Sequence, residues 1–104
     1  MKHIVLAIGL GLMLGSALPD PAAARGTIET ACLRSDRPAV SRTLCGCLQT
    51  VADAVLSSSE QRQGAKLFTD PDLSQATKIS NRRSDVLFWE KWERFAAGAV
   101  KYCQ

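Results

Sequence analysis

Four cysteines restrict what this chain can fold into more than any other feature of its sequence. An even number of cysteines in a short exported chain is typical of a disulfide framework. The predicted domain is residues 25–104, and a domain of about 80 residues buries only about 60 to 65% of its unfolded surface. Two bridges, each worth about 2 to 4 kcal/mol, would therefore supply much of its stability. The cysteines are Cys32, Cys45, Cys47 and Cys103.

Export is predicted from the first residues. Lys2 precedes an apolar run from Ile4 to Leu18, and three alanines, 22–24, follow it, which is the pattern of a secretory signal peptide. The run is shorter than the roughly 20 apolar residues that a membrane-spanning helix needs. We therefore predict a cleaved signal peptide, residues 1–24, and a single exported domain, residues 25–104, with no stable membrane insertion.

Helix signals recur after the predicted cleavage site, whereas alternating strand patterns do not. The fold class we expect is all-α, a small disulfide-stapled bundle of about four to five helices. In the second and last helices, apolar residues recur every three or four positions, as on a buried helix face. The predicted helices cover 27–34, 38–56, a third from the Ser57 cap through Phe68, a fourth from Asp70-Pro71, and a fifth from Ser84-Asp85 to about Tyr102. The core stripe of the fifth is Phe88, Trp92, Phe95, Ala96, Ala99 and Cys103.

The spacing of the cysteines limits how they can pair. Cys45 and Cys47 are two residues apart, so on a helix they point about 200° away from each other, and a bond between them would break the helix. Cys47 and Cys103 lie on the core stripes of two helices and are predicted to pair. Cys32 and Cys45 flank the turn around Pro38 and form the second predicted bridge.

Two alternatives give the cysteines a chemical role. Cys45-Gly46-Cys47 could be a redox pair, or the four thiols could bind zinc. Redox motifs are usually C-x-x-C, and zinc ligands are usually spaced C-x₂₋₄-C, so the C-x-C spacing fits neither well. We expect structural disulfides and no metal or other cofactor.

Residues for catalysis are scarce in the predicted mature domain. The single histidine, His3, lies in the predicted signal peptide, which removes the commonest general base and the Ser-His and Cys-His pairs. Oxidised cysteines supply no thiolate nucleophile. Of the neighbouring carboxylates, Asp70 is explained as a helix cap, and Glu90 and Glu93 as solvent-facing residues. We expect no catalytic residue and no enzyme activity.

A possible binding patch lies early in the last helix. Trp89 lies beside the core stripe, and aromatic residues are frequent at the centres of interfaces. Arg82 and Arg83 could hold an acidic group of a partner, whereas Glu90 and Glu93 could hold a small cationic ligand. The net charge of +3 is spread over mixed acids and bases, so nucleic-acid binding is not expected.

Several segments together resemble one family. They are residues 25–35, Leu44-Cys45-Gly46-Cys47-Leu48-Gln49, Asp70-Pro71, Phe88-Trp89 and Tyr102-Cys103. The chain is similar, over nearly its whole mature length, to small exported proteins of Gram-negative bacteria that often carry the automatic name "arginine transporter". The resemblance implies a periplasmic location and, at most, an accessory role beside a transport system, and it carries over no catalytic or binding residue.

These observations lead to one expected function and two alternatives. The expected function is a non-enzymatic interaction or structural module in the periplasm with an unknown protein partner. The first alternative is an accessory or small-ligand binder linked to the transport of arginine or other amino acids. The second alternative is a thiol-disulfide redox protein that uses the Cys-Gly-Cys segment.

Overall fold

Five helices make up the part of the chain that this computed structural model describes, residues 26–104. The predicted signal peptide, residues 1–24, lies outside these residues. No β-strand occurs within them, and the predicted all-α bundle is confirmed. In chain order the helices are α1 (Thr27–Arg34), α2 (Arg42–Val55), α3 (Ser58–Leu67), α4 (Pro71–Ile79) and α5 (Arg83–Tyr102).

Local caps define where α3 and α4 begin, as the sequence predicts. The Glu60 N–H donates to the Ser57 hydroxyl (3.1 Å) and the Ser57 N–H donates to the Glu60 carboxylate (2.7 Å), which is a capping box. The hydrogen bond from the Ser57 backbone also holds the pKa of Glu60 below its ordinary value. At α4 the Leu73 N–H donates to the Asp70 carboxylate (2.9 Å), and Pro71 occupies the first helical position.

The predicted start of α2 is wrong by four residues. The sequence favoured Pro38, but the helix begins at Arg42 because Ser41 is the cap, its hydroxyl accepting the Leu44 N–H at 3.0 Å. Before it, the Val40 N–H donates to the Arg37 carbonyl (3.2 Å) in a turn. Val40 therefore lies outside the helix and its apolar stripe.

Two expectations for α5 also need correction. Ser84-Asp85 does not cap the helix, which begins at Arg83 with no side-chain cap, because the Asp85 carboxylate accepts the Ser80 hydroxyl at 2.6 Å instead. Ala96 is exposed, whereas Phe95 beside it is buried. Successive residues of a helix are turned by about 100°, which places Ala96 beyond the edge of the buried face.

The core lies where α1, α2 and α5 meet. Its buried members are Ile28, Val51, Ala52, Leu56 and Phe95. A Cβ atom on Gly98 of α5 would lie 2.7 Å from the Val51 side chain. The glycine therefore lets α5 approach α2 closely.

A glutamine from α2 holds the first turn of α1. The Gln49 side-chain oxygen accepts the backbone N–H groups of Ile28 and Glu29, both at 2.9 Å. Its amide nitrogen donates to Asp53 (2.7 Å) and to Gln61 of α3 (2.8 Å). Gln49 thus satisfies two donors that every helix start leaves unpaired, and it joins three helices.

Both disulfides use α2. Cys32 of α1 pairs with Cys45, and Cys47 pairs with Cys103, the residue after α5. The Cα–Cα distances are 5.5 Å and 5.7 Å, and Cys45 is fully buried. These are the two pairs expected from the sequence, so the Cys45–Cys47 bond of the redox hypothesis is not formed.

Among residues 26–104 no helix combines the length and the apolar character that a membrane span requires.

Candidate functional site

The aromatic and acidic residues predicted from the sequence lie on one side of α5. Trp89 is half-buried, and its ring N–H donates to the Glu93 carboxylate at 2.9 Å. Glu90 and Glu93 are exposed and line a shallow depression together with Arg94. One of the two carboxylates is therefore already hydrogen-bonded, and a cationic ligand there would meet the positive charge of Arg94.

The two predicted arginines lie apart from that depression. Arg82 lines a cavity between α3, α4 and the start of α5. Arg83 is exposed at the first position of α5 and does not line the cavity. Trp89 does not line it either, so the structure separates Arg82 from the tryptophan.

A different surface combines more of the features of a binding site. We call it the aromatic groove, an open cavity of about 320 Å³. Its walls come from α3, α4, α5 and α2, and from the loop before α2. The lining residues are Arg37, Leu48, Leu67, Phe68, Ser74, Trp92, Phe95, Ala96, Ala99 and Val100.

Trp92 is the centre of the aromatic groove. Its ring centroid lies 4.8 Å from that of Phe95, 5.8 Å from Phe88 and 6.1 Å from Phe68, within the range in which aromatic pairs attract. A Cβ atom on Gly64 of α3 would lie 2.2 Å from the Trp92 ring. Trp92 can therefore occupy this place only because residue 64 has no side chain.

The aromatic groove carries charge at one position. Among the described residues that line it, Arg37 alone is charged. The Arg37 guanidinium lies 5.8 Å from the centroid of the Phe68 ring, a distance at which cation–π attraction operates. The groove is thus an apolar surface with one positive charge at its edge.

The sequence did not predict the aromatic groove. The sequence predicts Phe68 in a helix, Trp92 in the core and Arg37 in a turn, and 31 positions separate Arg37 from Phe68. No local pattern links residues at such a distance. The one available signal was the stacking of Phe88, Trp92 and Phe95 at helical spacing, which was interpreted as core alone.

Within the described chain all four cysteines are in disulfides, and no group of three or more His, Cys, Asp or Glu residues is placed to hold a metal ion. The aromatic groove offers apolar contact, aromatic stacking and one ionic contact. Comparisons with protein-family models, with curated proteins and with solved structures find no match for this chain.

Proposed function

We propose that this domain is a non-enzymatic periplasmic interaction module that binds a protein partner at the aromatic groove. The observation that carries the proposal is the partly exposed cluster around Trp92 with Arg37 at its edge. Tryptophan, tyrosine and arginine dominate the binding energy of protein interfaces. The aromatic groove has aromatic residues at its centre and an arginine at its edge, and these are residue types that dominate such interfaces.

The partner segment we expect carries a large apolar side chain next to an acidic one. The apolar side chain would contact Trp92 and Phe68, which line the groove. Because Arg37 is the single charge of the lining, the complementary group beside that side chain is a carboxylate. Charge pairs at the rim of an interface contribute mainly to orientation and association rate.

Rigidity supports the same proposal. The Cys47–Cys103 bridge fixes the end of α5, and Ala99, one turn before Cys103, lines the groove. Gly64 and the surrounding phenylalanines fix the Trp92 ring. A surface that is already in its binding shape loses less entropy on association.

The periplasmic part of the proposal rests on three supports. The first residues follow the pattern of a signal peptide, and disulfides persist in oxidising compartments. The resemblance of the Cys-Gly-Cys segment and the terminal Tyr-Cys pair to small exported proteins points to the same compartment.

Two neighbouring alanines of α5 provide the test. Ala96 and Ala97 are both exposed, but Ala96 lines the aromatic groove and Ala97 does not. A photo-crosslinking residue at position 96 should capture a partner in the periplasm of the source cell, and the same residue at 97 should not. With the purified partner, Ala96→Arg should weaken binding at least tenfold, whereas Ala97→Arg should leave it within twofold.

A charge reversal tests the expected chemistry of the partner. Arg37→Glu should weaken binding, and replacing the facing carboxylate of the partner by lysine should restore it. Equal capture at positions 96 and 97, or unchanged affinity of the Ala96→Arg variant, would show that the aromatic groove is not the binding surface.

A second candidate function is the binding of a small cationic ligand on α5. It is favoured by one observation, that Glu90 and Glu93 line the same depression beside Trp89. Calorimetry with arginine decides it. Heat of binding that disappears in the Glu90→Gln variant would support it, and absence of heat at millimolar arginine would end it.

A further inference from the structure

A second cavity, of about 690 Å³, lies between α3, α4 and the start of α5. We call it the basic cavity. Its polar lining differs from that of the aromatic groove, and the two share only Leu67. The residues that matter for its chemistry are Arg62, Lys66, Leu73, Ser80, Arg82 and Asp85.

Positive charge is in excess in the basic cavity. Arg62, Lys66 and Arg82 are cationic, and Asp85 is the one acid among the described residues that line the cavity. The Asp85 carboxylate accepts the Ser80 hydroxyl at 2.6 Å. Three cations and one acid therefore leave an excess of two positive charges among the lining residues.

The three cations come from two walls. Arg62 and Lys66 are four positions apart on α3, so they lie one turn apart on the same face. Arg82 is the residue immediately before α5. The cationic side chains thus line the basic cavity from both walls.

We propose that the basic cavity binds the phosphate group of an organic anion. Guanidinium groups match the oxygens of phosphate with two parallel hydrogen bonds, which makes arginine the usual residue for phosphate recognition. A phosphate monoester carries about 1.5 to 2 negative charges at pH 7, which balances the excess positive charge of the cavity. A single carboxylate balances only half of that charge.

The size and apolar surroundings of the basic cavity indicate a ligand larger than phosphate alone. Leu73 lines it and is 37% exposed. Leu67 and Ala76 line it as well. Apolar parts of a ligand have surface to cover beside the charged residues. Such a ligand is a phospholipid headgroup at a membrane surface or a soluble organic phosphate.

The test compares two double variants of equal charge. Arg62→Gln/Arg82→Gln removes one cation from each wall, and Arg34→Gln/Arg42→Gln removes two exposed arginines that do not line the basic cavity. All four arginines are exposed, so both variants should fold with melting temperatures close to that of the unsubstituted protein. The oxidised mature protein is used throughout.

Two arms distinguish the sources of phosphate. Calorimetry with pyrophosphate and with a sugar phosphate reports soluble ligands, and co-sedimentation with vesicles that contain phosphatidic acid, a phosphate monoester, against vesicles of phosphatidylcholine alone reports lipid headgroups. In either arm we expect the cavity variant to bind at least tenfold more weakly and the control variant to bind within twofold of the unsubstituted protein. Binding of soluble phosphates assigns a soluble ligand, and binding of the phosphatidic acid vesicles alone assigns a lipid headgroup.

Three results would overturn the proposal. The first is no binding in either arm at low ionic strength. The second is equal loss in both double variants, which would indicate a general charge effect. The third is binding of the dicarboxylate succinate as tight as that of pyrophosphate, which would remove the preference for phosphate. The Ala96→Arg variant should keep phosphate binding, so failure at the aromatic groove and failure here are separable.

Discussion

Replacing Gln49 by alanine should loosen α1 and lower the stability of the whole domain. The Gln49 side chain caps the first turn of α1 through Ile28 and Glu29 and also donates to Asp53 and Gln61. Gln61 is only 8% exposed. The substitution therefore removes a helix cap and deprives a buried oxygen of its donor.

Both losses can be converted to free energy. A lost N-terminal cap costs about 1 kcal/mol, and a buried polar group left without its partner costs about 1 to 3 kcal/mol. We expect Gln49→Ala to lower the free energy of unfolding by about 2 to 3 kcal/mol. For a domain of this size that corresponds to a fall in melting temperature of about 10 to 20 °C.

Urea denaturation of the oxidised protein measures the free energy, and hydrogen exchange locates the effect. The amide protons of Ile28 and Glu29 should exchange faster in the variant, because their acceptor is gone. Gln75→Ala is the matched control, since Gln75 is exposed on α4 and its loss should change stability by less than about 0.5 kcal/mol. A Gln49→Ala variant as stable as the control, or unchanged exchange at Ile28 and Glu29, would refute the assignment of the cap.

Two further predictions concern a glycine and a carboxylate. Gly64→Ala should destabilise the domain by about 1 to 2 kcal/mol in chemical denaturation, because overpacking against Trp92 costs about 1 to 3 kcal/mol and outweighs the better helix propensity of alanine. Gly46→Ala, whose Cβ would meet only Glu29 at 3.6 Å, should instead stabilise by about 0.5 to 1 kcal/mol, and equal effects at the two positions would contradict the packing argument. Because the pKa of Glu60 is lowered from 4.5 by its hydrogen bond to the Ser57 backbone, its contribution to stability is complete above pH 4.5 and is lost as the pH falls through the lowered value. Glu60→Gln should therefore flatten the acid side of the stability profile, and an unchanged profile would show that Glu60 does not contribute to it.

Local signals allowed much of the fold to be predicted. The starts of α3 and α4 were predicted correctly because a cap needs only neighbouring residues, such as Ser57 with Glu60. The direction in which residues two apart on a helix point excluded a Cys45–Cys47 bond, and the core stripes of α2 and α5 together with the turn around Pro38 indicated the two pairs. In both cases the deciding interaction lies within a helix turn or follows from helix geometry.

Errors arose where two local solutions competed or where contacts were distant. Pro38 and Ser41 each offered a start for α2, and the structure uses Ser41. Asp85 is of a residue type that often caps helices, but its carboxylate accepts a hydrogen bond from the Ser80 hydroxyl instead. Hydrophobic periodicity does not report the contact between Arg37 and Phe68. It does not report the convergence of α3 and α5 on the basic cavity either, because the path of the chain through the fold creates both.

The two disulfides divide the domain into two covalent rings that meet on one turn of α2. The smaller ring closes between Cys32 and Cys45 and contains Arg37, and the larger closes between Cys47 and Cys103 and contains every other residue that lines the aromatic groove or the basic cavity. One peptide-bond cut inside the larger ring leaves its two pieces joined through the bridge. The same holds for the smaller ring, so a protease must cut one ring twice before it can release any part of either surface.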